Sequence, residues 1–157
     1  NRPVTNISID FNVALITIDS LPNDTKIVPE ILTAVANENI NIDMISQMPP
    51  YNGFISLSFS LPSDQLGRAL EALNRVRSRL GEFNISIDAE NTKIQVYGKA
   101  MRNIPGVAAR LFTVLAEEGV EIKLVTTSEV DISCLIYEKD ADKALAALKA
   151  EYGLSPE

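Results

Sequence analysis

Apolar positions along this chain recur with two periods, one of two residues and one near 3.6, and the two alternate in a fixed order. Ala14, Ile16 and Ile18 alternate with Val13, Leu15 and Thr17 in a dense β-branched run, which predicts a largely buried strand ahead of the turn "SLPNDT". Val28, Ile31, Leu32 and Val35 then place one apolar stripe on a helix running to about Asn39. "INIDMIS" predicts a second strand, with Ile40, Ile42 and Met44 on one face and Asn41, Asp43, Ile45 and Gln47 on the other, ended by the turn "PPYNG". "FISLSFSL" alternates from Phe54. Ser63 with Asp64 offers an N-cap to a helix whose stripe is Leu66, Ala69, Leu70, Leu73 and Leu80, and "FNISID" closes the unit as a fourth strand.

The order repeats. "ILTAVANENINIDMISQ" (residues 31–47) aligns without a gap with "LFTVLAEEGVEIKLVTT" (residues 111–127), apolar on apolar, at an offset of 80 residues. In the second unit "KIQVYG" is a strand, Pro105 to about Glu118 a helix with Ala108, Leu111, Phe112 and Leu115 inward, and "VEIKLVTTS" and "VDISCLIYE" are strands. Ala141, Ala144, Leu145 and Leu148 mark a last helix. This unit lacks its fourth strand, while "VTNISID" at the start has strand character and no partner of its own. The economical arrangement gives Val4–Ile9 to the second unit. The expected fold class is α+β: two ferredoxin-like βαββαβ modules, each an antiparallel sheet with helices on one face, the first (11–88) inserted into the second (3–10 plus 89–157).

Composition narrows the chemistry. With 157 residues and 46% hydrophobic content the chain can bury one or two small cores, and its net charge of −7 argues against unaided binding to nucleic acid or to an anionic membrane. There is no His, which removes imidazole ligands and His-based acid–base schemes. The single Cys134 excludes an intrachain disulfide and fits a reducing, cytoplasmic setting. No apolar run approaches the roughly 20 residues of a membrane span. The chain opens on Asn1, as expected of a fragment or a processed product. Met44, Met48 and Met101 suit core or interface filling.

"NINIDMISQ", "YGKAMRNIPGVAARLF", "GVEIKLVTTSEVDISCLI" and "EKDADKALAALKAEY" together resemble the tandem ACT region of aspartate kinases over essentially the whole chain, and "MRNIPGVAARLF" followed by "TTSEVDIS" is the specific signature. The first module's "SLPNDTKIVPEI" lacks the Pro-Gly pair that usually opens the helix in that family. The resemblance implies a regulatory region without a catalytic site or cofactor of its own. Its partner would be a kinase domain or subunit that phosphorylates the aspartate side-chain carboxylate with ATP and Mg²⁺. It also implies feedback inhibition by lysine, threonine or both, bound between modules of a homodimer.

An amino-acid receptor needs free N–H groups for a carboxylate, carbonyls for an ammonium, and one discriminating side chain. The turns entering the first helix of each module offer the donors: Asn23, Asp24, Thr25, Ile27 and Val28 in one, and Pro105, Gly106, Val107 and Ala108, with Met101 before them, in the other. Pro105 suits N1 and Gly106 allows close backbone approach. With two modules side by side, the strands bearing Asn41, Ile42, Asp43 and Gln47, and Glu121 and Ile122, face these helix starts. Asp43 is the sharpest candidate, since it would pair with a lysine ammonium, and its counterpart in the repeat is Lys123, so the two sites are chemically unequal. Ser128 and Glu129 either order an effector or form a hairpin turn.

Three other readings are available. An RNA-recognition module shares the βαββαβ order but needs exposed aromatics in a basic surface, and "KIQVYG" offers only Tyr97 on an acidic chain. A stand-alone enzyme would need a convergent polar cluster, and no phosphate-cradling Gly-rich loop or nucleophile–base pair is visible. An effector-insensitive ACT dimerisation module is the stronger rival.

Overall fold

Two long strands stand where the periodicity predicts four short ones. In the computed structural model, which describes residues 2–155, β1 (Asn6–Pro22) carries both N-terminal runs and β4 (Asn84–Tyr97) carries both "FNISID" and "KIQVYG". Each strand changes phase midway: Ile7 and Ile9 face one core and Ala14, Ile16 and Ile18 another, as do Ile85 against Ile94 and Val96. The change falls beside residues with positive φ, Asn12 (59°) and Glu90 (62°), a conformation that is uncommon for Glu. The chain divides at those points into an inner unit, Asn12–Ala89, and an outer unit made of the segment up to Phe11 and the segment from Glu90 onward.

The inner unit follows the second half of β1 with α1 (Ile27–Ala36), β2 (Ile45–Gln47), β3 (Phe54–Pro62), α2 (Leu66–Leu80) and the first half of β4, in strand order β2-β3-β1-β4. β3 pairs antiparallel with β1, and its register sets Ala14 opposite Leu61, Ile16 opposite Phe59 and Ile18 opposite Leu57. That face packs against Ile31 and Val35 of α1 and Ala69, Leu73 and Val76 of α2. Each large aliphatic side chain so buried contributes about 1.5–3 kcal/mol. The ion pair Arg79–Glu30 (2.8 Å) joins α2 to α1 and Arg75–Glu38 (2.7 Å) joins α2 to the turn after α1, where exposure limits each to about 1 kcal/mol or less.

In the outer unit the second half of β4 leads to α3 (Val107–Glu117), β5 (Ile122–Thr127), β6 (Asp131–Tyr137) and α4 (Ala141–Tyr152), in order β1-β4-β6-β5. Ile94, Val96, Leu111, Leu115, Ile136 and Leu148 form its core. The N-terminal segment closes it: Val4 is fully buried there, and the Thr5 N–H donates to the Tyr97 carbonyl at 2.8 Å.

Several expected boundaries move. The "SLPNDT" turn does not end the first strand; β1 continues through Leu21 and Pro22 after a register shift at Ser20, whose φ is 65°. α1 ends three residues before Asn39, which takes φ 60° in the exit turn. Short 3₁₀ turns, Ser63–Gln65 and Glu138–Asp140, precede α2 and α4, so neither Ser63 nor Asp64 caps α2. α3 starts at Val107, not Pro105, and turns Val107 and Val114 inward, leaving Ala108 and Phe112 exposed.

The predicted strand 40–46 shrinks to a three-residue ladder because of a bulge. The Asp43 N–H donates to the Ser60 carbonyl (3.0 Å), the Met44 N–H to Ser60 Oγ (3.0 Å), and the Ser60 N–H to the Met44 carbonyl (2.9 Å), so two residues oppose one. The burial alternation survives, with Ile40 and Met44 buried and Asn41, Asp43, Ile45 and Gln47 exposed. The outer unit repeats the device: Ile122 pairs with Ile136 and Leu124 with Leu135, leaving Lys123 as the extra residue.

Candidate functional site

The two helix entrances differ in what they leave for a ligand. At α1, the Lys26 N–H donates to Asp24 Oδ1 (3.0 Å), the Ile27 N–H donates to the Asp24 carbonyl (3.1 Å), and Pro29 has no N–H. Asp24 therefore satisfies donors that the sequence suggests are open, and brings a negative charge to the same end. Asn23 and Thr25 are exposed, the Asn23 N–H donates to the Gly53 carbonyl (3.0 Å), and Ile27 is buried in the core with Val28 packed against it.

At α3 the entrance is built differently. Gly106, not Pro105, is the residue before the helix, and it takes φ 83°, a left-handed value that a side chain would strain. A Cβ there would meet nothing within 4 Å, so the glycine serves backbone conformation and not close approach. Pro105 and Ala108 are exposed, whereas the Val107 and Met101 side chains belong to the core. Beside this turn lies a groove of about 420 Å³ lined by Pro3, Ile104, Gly106, Arg110 and Tyr152. Arg110 forks onto Glu151, Nε to Oε2 at 3.0 Å and Nη2 to Oε1 at 2.9 Å. These hydrogen bonds raise the Arg110 pKa and lower that of Glu151.

The strand candidates stand away from the entrance of their own unit. Asp43 lies opposite Ser60, while Phe54 lies opposite Pro22 at the approach to α1. Ser60 lies six positions along β3 from Phe54, about 20 Å at roughly 3.4 Å per residue. Gln47, opposite Leu57, is nearer. In the outer unit Lys123 sits level with Leu135, several residues along β6 from Val130, whose carbonyl accepts from the Gly98 N–H beside the α3 approach. One unit thus does not bring its own strand residues and helix start onto a single small molecule.

Around the bulges the chemistry diverges. Asp43 and Asn41 are exposed and Ile42 is half-buried. In the outer unit Glu121 is exposed and Ile122 half-buried, but the Lys123 ammonium lies 3.3 Å from the centre of the Tyr137 ring and donates to Asn91 Oδ1. Sequence reasoning missed Asn91 and Tyr137; their signal was a polar residue between the two runs that make up β4 and an aromatic residue at the end of β6. Ser128 closes the β5–β6 hairpin, its N–H donating to the Asp131 carbonyl (2.9 Å) and its Oγ accepting from the Val130 and Asp131 N–H groups (3.2 Å each), with Glu129 exposed in the turn. That geometry gives the turn reading of Ser128 a direct observation.

Cys134 is buried in the outer core, and burial pushes its thiol up to about 12, so it is no thiolate nucleophile near neutral pH. Among the described residues no group of His, Cys, Asp or Glu is placed to hold a metal ion, and no helix is long and apolar enough to cross a membrane. Ile45, Met48, Tyr51 and Phe54 of the inner unit are exposed, Tyr51 by 77%, on and beside a hairpin whose Asn52 and Gly53 both take positive φ.

Comparison with known proteins gives a consistent result. Residues 94–152 match the family model described as ACT domain. Aspartokinases of Bacillus sp. (strain MGA3) and Mycolicibacterium smegmatis are 32% and 34% identical over 99% and 96% of this chain, which spans only 38% and 36% of their length. The regulatory subunit of aspartate kinase from Thermus thermophilus, in its ligand-free form, superposes with a TM-score of 0.88 at 30% identity, covering 95% of this chain and 98% of that one. A structure of aspartokinase alpha and beta subunits gives 0.88 at 37% identity, covering 96% and 99%.

Proposed function

Since this chain belongs to the aspartate kinase family, as its ACT-domain regulatory region, we propose that it senses lysine, threonine or both and relays occupancy to a kinase domain or subunit as lost activity. The catalysis so regulated is ATP- and Mg²⁺-dependent phosphorylation of the aspartate side-chain carboxylate. The observation that carries this reading is the near-complete coverage of the Thermus thermophilus regulatory subunit at 30% identity and of a chain of the aspartokinase alpha and beta subunit structure at 37%, in contrast to the 36–38% share of the longer aspartokinases. The geometry suits an effector site that a second chain completes: helix starts supply carboxylate donors, bulged strands supply carbonyls and side chains, and a single unit keeps the two apart. The open α3 entrance suits the carboxylate better than α1, whose donors Asp24 occupies. Asp43 suits a lysine ammonium.

Association of two chains belongs to the same proposal. β2 is a short edge strand, and the exposed Ile45, Met48, Tyr51 and Phe54 beside it are the kind of apolar surface that a second copy covers. A pure dimerisation scaffold would use that surface equally and ignore amino acids.

Titration calorimetry of the full chain with lysine, with threonine, and with each in the presence of the other separates the two. Saturable binding is expected, with coupling of about 1–3 kcal/mol if both bind. Asp43→Ala should weaken lysine about tenfold, roughly 1.4 kcal/mol, at unchanged thermal stability. Heat-silent titrations with every proteinogenic amino acid would leave the scaffold reading in possession.

A further inference from the structure

The repeat places Asp43 and Lys123 at equivalent bulges, yet the surroundings of Lys123 are those of a bound ligand. Asn91 and Tyr137 are direct partners in the β4–β6 register, so they stand side by side on one face of the sheet. Asn91 is fully buried and its side-chain carbonyl accepts from the Lys123 ammonium, while the Tyr137 ring covers the same ammonium at 3.3 Å. A carbonyl acceptor and an aromatic face are what a receptor offers an alkylammonium. Because Lys123 is the extra residue of a bulge, its side chain is directed separately from the ladder positions around it.

We propose that the outer unit carries an alkylammonium site that is filled by its own Lys123, which acts there as a tethered ligand. An external amine is therefore excluded from this position. Where effector binding is concerned the inference rests on the sensor reading: amine recognition is left to the inner unit, where the same bulge presents an acid. Lys123 is a specificity-determining residue in this sense, since its removal converts a closed module into one open to primary amines.

Chemical rescue tests this in the full chain. Lys123→Ala keeps Cβ and removes the equivalent of n-propylammonium, which is the probe. The variant should lose about 3 °C in Tm. n-Propylammonium chloride should restore it saturably, beyond the effect of sodium chloride at equal ionic strength, while the wild type gains nothing over salt. Adding Tyr137→Leu should abolish the rescue. Lys139 Nζ comes to 5.5 Å from the same ring centre, so the experiment is repeated with Lys139→Ala to keep that side chain from entering the vacancy. Amine-specific rescue in either background supports the proposal. Its absence in both, or an equal gain by the wild type, overturns it. Neither outcome depends on whether the protein binds lysine or threonine, so the sensor reading stands or falls separately.

Discussion

At the scale of single residues, Gly98 shows how little room the outer unit leaves. A Cβ at this position would lie 1.9 Å from the Pro3 carbonyl oxygen and 2.7 Å from its carbon, both backbone atoms that no rotamer can move aside. Gly98→Ala should therefore push the N-terminal segment off its seat and destabilise the protein by about 2 kcal/mol in urea denaturation. Gly67→Ala is the control: nothing lies within 4 Å of its Cβ, and a helical alanine should stabilise by about 0.5 kcal/mol. Equal effects of the two would remove the steric argument. Residue identity was legible where the repeat aligned positions, as for Asp43 against Lys123. What Lys123 touches was not, because its partners come from two other strands. Nor was Asp24 as the occupant of the α1 donors, a consequence of turn geometry that periodicity does not encode.

Among the elements, the bulge on β2 depends on one hydroxyl. Ser60 is fully buried and its Oγ accepts the Met44 N–H, a donor that alanine would leave without that partner. Ser60→Ala is expected to cost about 1–2 kcal/mol and to speed hydrogen exchange of the Met44 amide, with α2 unaffected. An unchanged exchange rate at Met44 would show that the bulge does not need the hydroxyl. Leu135 occupies the equivalent place on β6, so the outer bulge is held without one. Helix identities followed from 3.6-residue stripes, and both β-strand pairs flanking the hairpins from alternation. The continuity of β1 and β4 did not, because a strand whose inward face switches beside Asn12 or Glu90 has the pattern of two strands. Phe112 turned outward for a different reason: Leu111 and Leu115 are shared by two stripes, one completed by Ala108 and Phe112 and the other by Val107 and Val114, and periodicity alone does not choose between them.

For the molecule as a whole, the outer unit is assembled from both ends of the sequence and the inner unit from one uninterrupted stretch. Removing the first nine residues strips Val4, Ile7 and Ile9 from the outer core together with the Thr5–Tyr97 hydrogen bond. The expected loss is at least about 3 kcal/mol, confined by hydrogen exchange to α3, α4, β5, β6 and the second half of β4, with α1 and α2 still protected. Uniform loss of protection would mean that the units do not fold separately. The order of synthesis gives this arrangement a further meaning. Residues 12–89 can complete their sheet while the ribosome is still at work, but Thr5 must wait for Tyr97, 92 residues later. At about 5–20 residues per second that is on the order of 5–20 s during which the first-made strand of the outer unit has no partner. For that interval the segment before Asn12 is open to chaperones, proteases and mispairing with neighbouring nascent chains.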